Sequence, residues 1–156
     1  MFENHDLCHE AYVSLETAKK LRAAGFDWYI NSFYQEGSTQ LPEPHEFNNR
    51  EVHDTIGVQN WNNYSGRDRE YISCPTLAVA QRWLLEVKDY VVLVEFSVTN
   101  NHSFLGAVTK SNEPYKSYHV RENWDGKYFP YKVFSRYEEA LEEAILLALD
   151  MMKEEE

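Results

Sequence analysis

Two places in the sequence carry side chains that could bind a metal ion or act as a nucleophile. The first, near the N-terminus, has residue types that coordinate metals: His5, Asp6, Cys8, His9 and Glu10. A structural zinc site usually needs a second pair of ligands at matching spacing, and the sequence shows no such pair. We therefore expect no metal site, and we expect a polar, mobile terminus over residues 1–13.

The second place is Cys74, which precedes Pro75 and Thr76 where a helix is predicted to begin. A thiol at a helix N-terminus can have a lowered pKa and react as a thiolate. A nucleophilic cysteine also needs a histidine base and an oxyanion hole. The sequence does not place any of its six histidines beside Cys74, so a small buried side chain is the preferred expectation.

Standard catalytic and nucleotide-binding motifs are absent from the sequence. It contains no P-loop, no G-x-G-x-x-G, no H-E-x-x-H and no G-x-S-x-G. With only six glycines, the sequence is unlike those that form glycine-rich phosphate-binding loops. We expect no cofactor and no enzymatic activity. An active site assembled from distant carboxylates and histidines stays an alternative.

Acidic residues dominate the charge, which is formally −11. Between Tyr137 and Glu156 eight acids stand against a single lysine, a formal charge of −7. Four of them lie outside the apolar stripe of a predicted helix and are expected to face water: Glu138, Glu139, Glu142 and Glu143. Nucleic-acid phosphates need lysine and arginine, so this charge argues against general nucleic-acid binding. The negative charge instead favours binding to a basic protein.

Residues 35–70 are predicted to form a long irregular loop, because prolines, glycines and asparagines interrupt every pattern there. Connections of this length are usually functional or partly disordered. Trp61 and Tyr64 are large side chains to leave exposed within it. They either pack the loop onto the rest of the protein, which is the preferred interpretation, or offer a contact surface to a partner.

Hydrophobic periodicity predicts helices from Ser14 to Gly25, over residues 75–88 and from Phe134 to Met152. In the last helix Ser135 and Glu138 have the spacing of a capping box. Its apolar stripe contains alanines four residues apart, which would let the helix approach a sheet closely. The stripe comprises Tyr137, Ala140, Leu141, Ala144, Leu147, Ala148 and Met151.

The strand pattern occurs in five stretches: Trp28 to Tyr34, Tyr90 to Val98, Ser103 to Lys110, Tyr115 to Val120 and Lys127 to Phe134. The alternation in Tyr90 to Val98 is the clearest. Gly106 is expected at a bulge or at a close approach. Asp125 and Gly126 form a strong hairpin-turn signal.

These elements predict a single α+β domain over residues 1–156, with a mobile end at 153–156. Its sheet has three to four antiparallel strands and helices packed on one face, in α-β-β-β-α order within residues 74–153. An N-terminal helix and strand precede this unit. The hydrophobic fraction of 43% and aromatic fraction of 15% are sufficient for a substantial core.

The sequence favours a cytoplasmic protein without a membrane segment. Its first ten residues are polar and acidic, unlike a secretion signal. The longest apolar runs, 90–94 and 144–149, are far too short to cross a bilayer. Cys8 and Cys74 are accordingly expected as free thiols.

The element order of the second half resembles that of the double-stranded-RNA-binding domain. That family places basic residues at the start of its last helix, where they hold phosphates. This chain has Arg136 there, followed by Glu138 and Glu139. The resemblance therefore covers element order only, and it assigns no residue a role.

Three segments, in this order, resemble a group of small uncharacterised proteins from phages and mobile elements of gut anaerobic bacteria. They are V-S-L-E-T-A-K-K-L-R-A-A-G-F (Val13 to Phe26), S-C-P-T-L-A-V-A-Q-R-W-L-L-E-V (Ser73 to Val87) and S-R-Y-E-E-A-L-E-E-A-I-L-L-A-L (Ser135 to Leu149). Together they cover about a third of the chain. The resemblance implies a bacterial intracellular setting and an origin in a phage or mobile element. It carries no activity over to any residue.

Three classes of function remain after these exclusions. The favoured one is an accessory protein that binds another protein, expected to be basic, through Trp61 and Tyr64 or through the acidic helix face. The first alternative is a nucleic-acid-binding regulator with a fold like the double-stranded-RNA-binding domain, which the charge disfavours. The second is a small enzyme with a non-motif active site, which the missing motifs disfavour.

Overall fold

The computed structural model describes residues 11–35, 45–46, 58–64, 70–98, 103–122 and 131–156. Its helices and strands in chain order are α1 (Leu15–Ala23), β1 (Ser32–Gln35), β2 (His45–Glu46), β3 (Tyr71–Ser73), α2 (Leu77–Lys88), β4 (Tyr90–Ser97), β5 (Ser103–Lys110), β6 (Ser117–His119) and α3 (Tyr137–Glu154). A short 3₁₀ turn covers Trp61–Asn63 between β2 and β3.

The second half has the predicted α+β architecture. An antiparallel sheet in the order β4-β5-β6 lies between α2 and α3 in the sequence, and both helices pack on one of its faces. The predicted order α-β-β-β-α over residues 74–153 is therefore confirmed. Of the predicted last strand, Lys127 to Phe134, only residues 131–134 are described, and they form isolated bridges instead of a strand, Arg121 to Tyr131 and Phe104 to Phe134. Asp125 and Gly126 lie outside the described residues.

The inner face of this sheet follows directly from the alternation in β4. Val92 pairs with Val108 and Val94 with Gly106, and these positions face the helices. Leu93, one position along, lies on the opposite face and is 45% exposed. The register from β4 to β5 is continuous from Tyr90 to Ser97, so Gly106 is not at a bulge.

Gly106 lies at the close approach that the sequence predicted. A Cβ added there would lie 2.7 Å from the Ala140 carbonyl oxygen and 3.0 Å from the Ala144 Cβ. Since the side chains on both sides of this contact are hydrogen or methyl, the backbone of α3 comes directly against β5. The predicted role of the small residues in α3 is thus confirmed.

The first half forms a second antiparallel sheet that the sequence did not predict, in the order β2-β1-β3. Its central strand begins at Ser32, so the strand predicted from Trp28 was too long at its start. Ile30 makes only a bridge, to Gln59. Tyr71–Ser73 and His45–Glu46 are strands of three and two residues, too short to give a sequence pattern. The prediction of an irregular loop over 35–70 is therefore wrong where β2 and the 3₁₀ turn are described.

The ends of α1 follow their sequence signals, whereas α2 begins at Leu77 and not at residue 75 as predicted. Ser14 Oγ accepts a hydrogen bond from the Thr17 backbone N–H, and Gly25 after α1 has a φ of +92°. Thr76 caps α2 in the same way, through the Val79 N–H. Asp89 ends α2 in a left-handed conformation, which turns the chain directly into β4.

The start of α3 differs from its prediction. The N-cap is Arg136, without a side-chain hydrogen bond, so the Ser135–Glu138 capping box does not form. Phe134 exchanges two backbone hydrogen bonds with Phe104, and the chain is still extended at Arg136 (φ −124°, ψ 140°). Pairing with β5 therefore delays the start of the helix to Tyr137.

The buried face of α3 is wider than its predicted stripe. Ile145 and Leu149 are buried in addition to its alanines and Leu141, whereas Tyr137 is 46% exposed. A helix that packs on a sheet and on two neighbouring helices buries more than one narrow stripe.

Parts of both segments predicted to be mobile have defined contacts. Ala11 O accepts a hydrogen bond from Leu77 N, Tyr12 forms a bridge with Thr76, and Val13 is buried. At the other end α3 continues to Glu154, and Glu155 accepts hydrogen bonds from Tyr90 and Lys110. Residues 1–10 lie outside the described ranges.

Candidate interaction groove beside the last helix

Trp61, one of the two aromatic residues predicted either to pack the loop onto the protein or to contact a partner, is a core residue. It is 1% exposed, its ring centroid lies 4.4 Å from that of Phe33, and its Nε1 donates a hydrogen bond to Ile30 O at 2.7 Å. Tyr64 packs edge-on against Trp61 and Tyr71 but stays 37% exposed. The structure therefore supports packing for Trp61 and excludes it from an exposed surface, while Tyr64 keeps an accessible edge.

Asn62 anchors the 3₁₀ turn beside Trp61. Its side chain accepts a hydrogen bond from Ser73 N and donates one to Phe26 O, both at 2.9 Å. One amide thus connects the turn to β3 and to the chain that follows α1. An asparagine-rich sequence signals a loop, but it does not say which amide bonds to which backbone.

Cys74 is a buried residue and not an exposed nucleophile. Its Sγ lies 3.6 Å from Val13 O, and burial raises the pKa of the thiol to about 12. Tyr34 donates a hydrogen bond to the same carbonyl at 2.7 Å, and burial raises its pKa as well. A thiol held protonated in the core does not supply the thiolate that covalent catalysis needs.

Glu142 does not face water as the sequence predicted. Its Oε1 accepts hydrogen bonds from the Ser14 backbone N–H at 2.6 Å and from Thr17 Oγ1 at 2.7 Å. Both donors lie at the start of α1, more than 120 residues away in sequence. The sequence could not indicate this contact, because it depends on how α1 packs against α3.

The other three glutamates of the predicted acidic face occupy two places. Glu139 and Glu143 line an open groove of about 1000 Å³ that runs between the start of α1, α3 and the chain before α3. Glu138 lies outside it, 4.0 Å from Arg136 Nε. We call this the acidic groove, and its lining residues are Ser14, Glu16, Ser103, Lys132, Val133, Phe134, Ser135, Glu139, Glu142, Glu143 and Leu146.

The acidic groove carries four glutamates and one lysine, a formal charge of −3. Within the described part of the chain, Glu139 and Glu143 have no ion-pair partner, and Glu16 has only Lys20 at 3.9 Å. The single lysine, Lys132, has its Nζ 5.1 Å from the ring centroid of Phe134. The groove therefore presents carboxylates that are available to an incoming cation.

The groove also has an apolar wall. Val133 is 42% exposed beside the Phe134 ring, and Leu146 is half-buried on the α3 side. Carboxylates next to apolar surface suit a long basic side chain, because lysine and arginine have apolar stems and charged ends. Glu16, Lys132 and Val133 could not be predicted as part of the site, because no local sequence pattern relates α1 and residues 132–133 to α3.

The described residues contain no group of three or more His, Cys, Asp or Glu side chains placed to hold a metal ion. The predicted cluster from His5 to Glu10 lies outside them. No helix within the described ranges has the length and apolar character needed to cross a membrane. Comparison with protein-family models, with curated proteins and with solved structures found no match for this chain.

Proposed function

We propose that this protein acts by binding another protein, and that a basic segment of the partner enters the acidic groove. The observation that carries the proposal is the pair Glu139 and Glu143, which line an open groove and have no cationic partner among the described residues. Complementary charge accelerates encounter and selects against acidic competitors. Val133 and Leu146 add apolar contact for the stems of the basic side chains.

The charge of the whole chain points in the same direction. A formal charge of −11 attracts basic proteins and repels nucleic acids at low ionic strength. The resemblance to phage and mobile-element proteins supports an accessory role inside a bacterial cell. The groove lining includes no histidine or cysteine in the described ranges, so it offers neither an imidazole base nor a thiol nucleophile.

A charge-neutralised variant tests the proposal. Glu16→Gln, Glu139→Gln and Glu143→Gln together remove three charges from the groove and leave Glu142 in place. The matched control, Asp27→Asn, Glu70→Gln and Glu86→Gln, removes three charges from exposed sites elsewhere. Both variants should melt close to the wild-type temperature, because exposed substitutions usually change stability little.

Each protein is then used to capture partners from the native host, and the retained proteins are quantified by mass spectrometry. We expect a basic protein that the wild type and the control retain and the groove variant loses. Equal retention by all three proteins would show that the groove is not the binding site. Tight binding of duplex DNA or structured RNA in a low-salt mobility-shift assay would contradict the charge argument.

A further inference from the structure

Among the described residues, Lys132 is the one cationic side chain that lines the acidic groove, where it stands among four glutamates. Its main chain is fixed, because Lys132 N donates a hydrogen bond to Val120 O at 2.9 Å. Two residues further on, Phe134 exchanges two backbone hydrogen bonds with Phe104. The segment that carries Lys132 is therefore held against the sheet, and its ammonium group can change place by rotation of the side chain.

The ammonium group of Lys132 rests on an aromatic ring and not on a carboxylate. Lys132 makes no ion pair in the part of the chain that the structure describes. Its Nζ lies 5.1 Å from the ring centroid of Phe134. Phe134 lines the groove and yet is only 7% exposed. In the unbound protein, Lys132 thus covers an aromatic face that would attract a cation entering the groove.

Lys132 opposes the entry of another cation in two ways. Its charge reduces the formal charge of the lining from −4, for the four glutamates alone, to −3. Two like unit charges about 7 Å apart in water repel each other enough to change an affinity roughly threefold. Lys132 also occupies the face of Phe134, where a second cation would otherwise be stabilised.

Arginine is the side chain best suited to take the place of this lysine. Its guanidinium group is planar, stacks on aromatic faces and binds a carboxylate through two parallel hydrogen bonds, whereas the ammonium group of lysine is a compact, strongly hydrated charge. Glu139 and Glu143 lie one turn apart on α3, about 6 Å along the helix axis, and line the same groove as Phe134. The groove therefore combines carboxylates with a covered aromatic face.

We infer that Lys132 is a built-in competitor of the acidic groove, and that an arginine of the partner displaces it from the face of Phe134. Lys132 then sets the affinity of the groove and its preference between arginine and lysine. This inference rests on the proposed function, because it assigns a role to one residue of the same groove.

The test measures the fluorescence anisotropy of two labelled peptides, tetra-arginine and tetra-lysine, both blocked at their ends, with the full chain at low salt. Lys132→Ala removes the competitor. The matched control is Lys88→Ala, because Lys88 is also half-buried and has its Nζ 5.4 Å from the ring centroid of Trp83, but lies outside the acidic groove. Both variants should melt close to the wild-type temperature, since neither lysine has an ion-pair partner in the described ranges.

Lys132→Ala should bind tetra-lysine about threefold more tightly than the wild type, because only the charge effect assists this peptide. It should bind tetra-arginine more tightly by at least about fivefold, since the ring of Phe134 becomes available for stacking. Lys88→Ala should change either affinity by less than about twofold. Equal gains for the two peptides, or equal effects of the two lysine substitutions, overturn the inference.

A further comparison separates this inference from the proposed function. The groove variant, which lacks the charges of Glu16, Glu139 and Glu143, should weaken tetra-arginine binding more than the variant that lacks three charges at exposed sites elsewhere. If these two variants bind tetra-arginine equally well, the groove is not a cation site and both proposals fail. If the groove variant binds more weakly but Lys132→Ala does not bind more tightly than the wild type, only the inference about Lys132 fails.

Discussion

The carboxylate of Glu142 in α3 binds the backbone N–H of Ser14 at the start of α1. In a capping box, a glutamate at the third helical position returns to the N-cap backbone N–H. In α1 that position is Thr17, whose side chain does not supply a carboxylate; it donates to Glu142 itself. Glu142 of α3 therefore supplies the carboxylate that the sequence of α1 does not contain at this position.

This contact gives the first prediction. Glu142→Ala should lower the free energy of unfolding by about 1–3 kcal/mol, because a charge-assisted acceptor for two donors is lost. Glu143→Ala, one position along and without a partner in the described residues, should change it by less than about 0.5 kcal/mol. Urea titrations of both variants measure the free energy of unfolding. Similar decreases in the two variants would show that the hydrogen bonds of Glu142 do not stabilise the fold.

The second prediction concerns the aromatic cluster around the 3₁₀ turn. Trp61→Ala should destabilise the protein by about 3–5 kcal/mol, as truncation of a buried tryptophan does. Tyr64→Ala should cost clearly less, because Tyr64 is partly exposed. Thermal and urea unfolding provide the comparison. A small loss for Trp61→Ala would indicate that the ring is not part of the core.

The third prediction concerns alkaline pH. The folded state keeps the proton of Cys74 up to about pH 12, whereas the thiol in the unfolded chain loses it near 9. Unfolding therefore becomes more favourable as the pH rises from about 9 to 12. Tyr34, whose pKa burial also raises, acts in the same sense.

Urea titrations between pH 8 and 11 measure this dependence. Cys74→Ala should show a shallower decline of stability with pH than the wild type, whatever its stability at pH 8. A decline of equal slope in both proteins would mean that the thiol does not contribute.

The fourth prediction concerns the contact between β5 and α3. Gly106→Ala should destabilise by about 1–3 kcal/mol, since the added methyl group would lie 2.7 Å from a backbone oxygen that cannot rotate away. Wild-type stability in this variant, measured by urea unfolding, would contradict the close approach.

The sequence predicted those features that local patterns determine. The alternation from Val92 to Val98 located β4, and the cap Ser14 located the start of α1. It did not predict the features that depend on contacts with residues far away in the sequence. Pairing of Phe134 with Phe104 delayed α3, and the packing of α1 against α3 removed Glu142 from the solvent.

The residues of the candidate site likewise divide into those that local sequence patterns predicted and those that they did not. Glu139 and Glu143 were predicted from the acidic face of α3, and they line the acidic groove. Trp61 was predicted only as one of two possibilities, because composition does not distinguish a buried aromatic side chain from an exposed one.

The link between Ser14 and Glu142 has a consequence for the order of events during synthesis. A helix of nine residues is marginal by itself, and its remote cap, Glu142, is encoded 128 residues after Ser14. Lys20 likewise meets its partner, Asp150, only after 130 further residues have been synthesised. We expect α1 to dock late and the nascent chain to expose Leu21 and Ala18 until then, so truncated products should be substrates for chaperones and proteases.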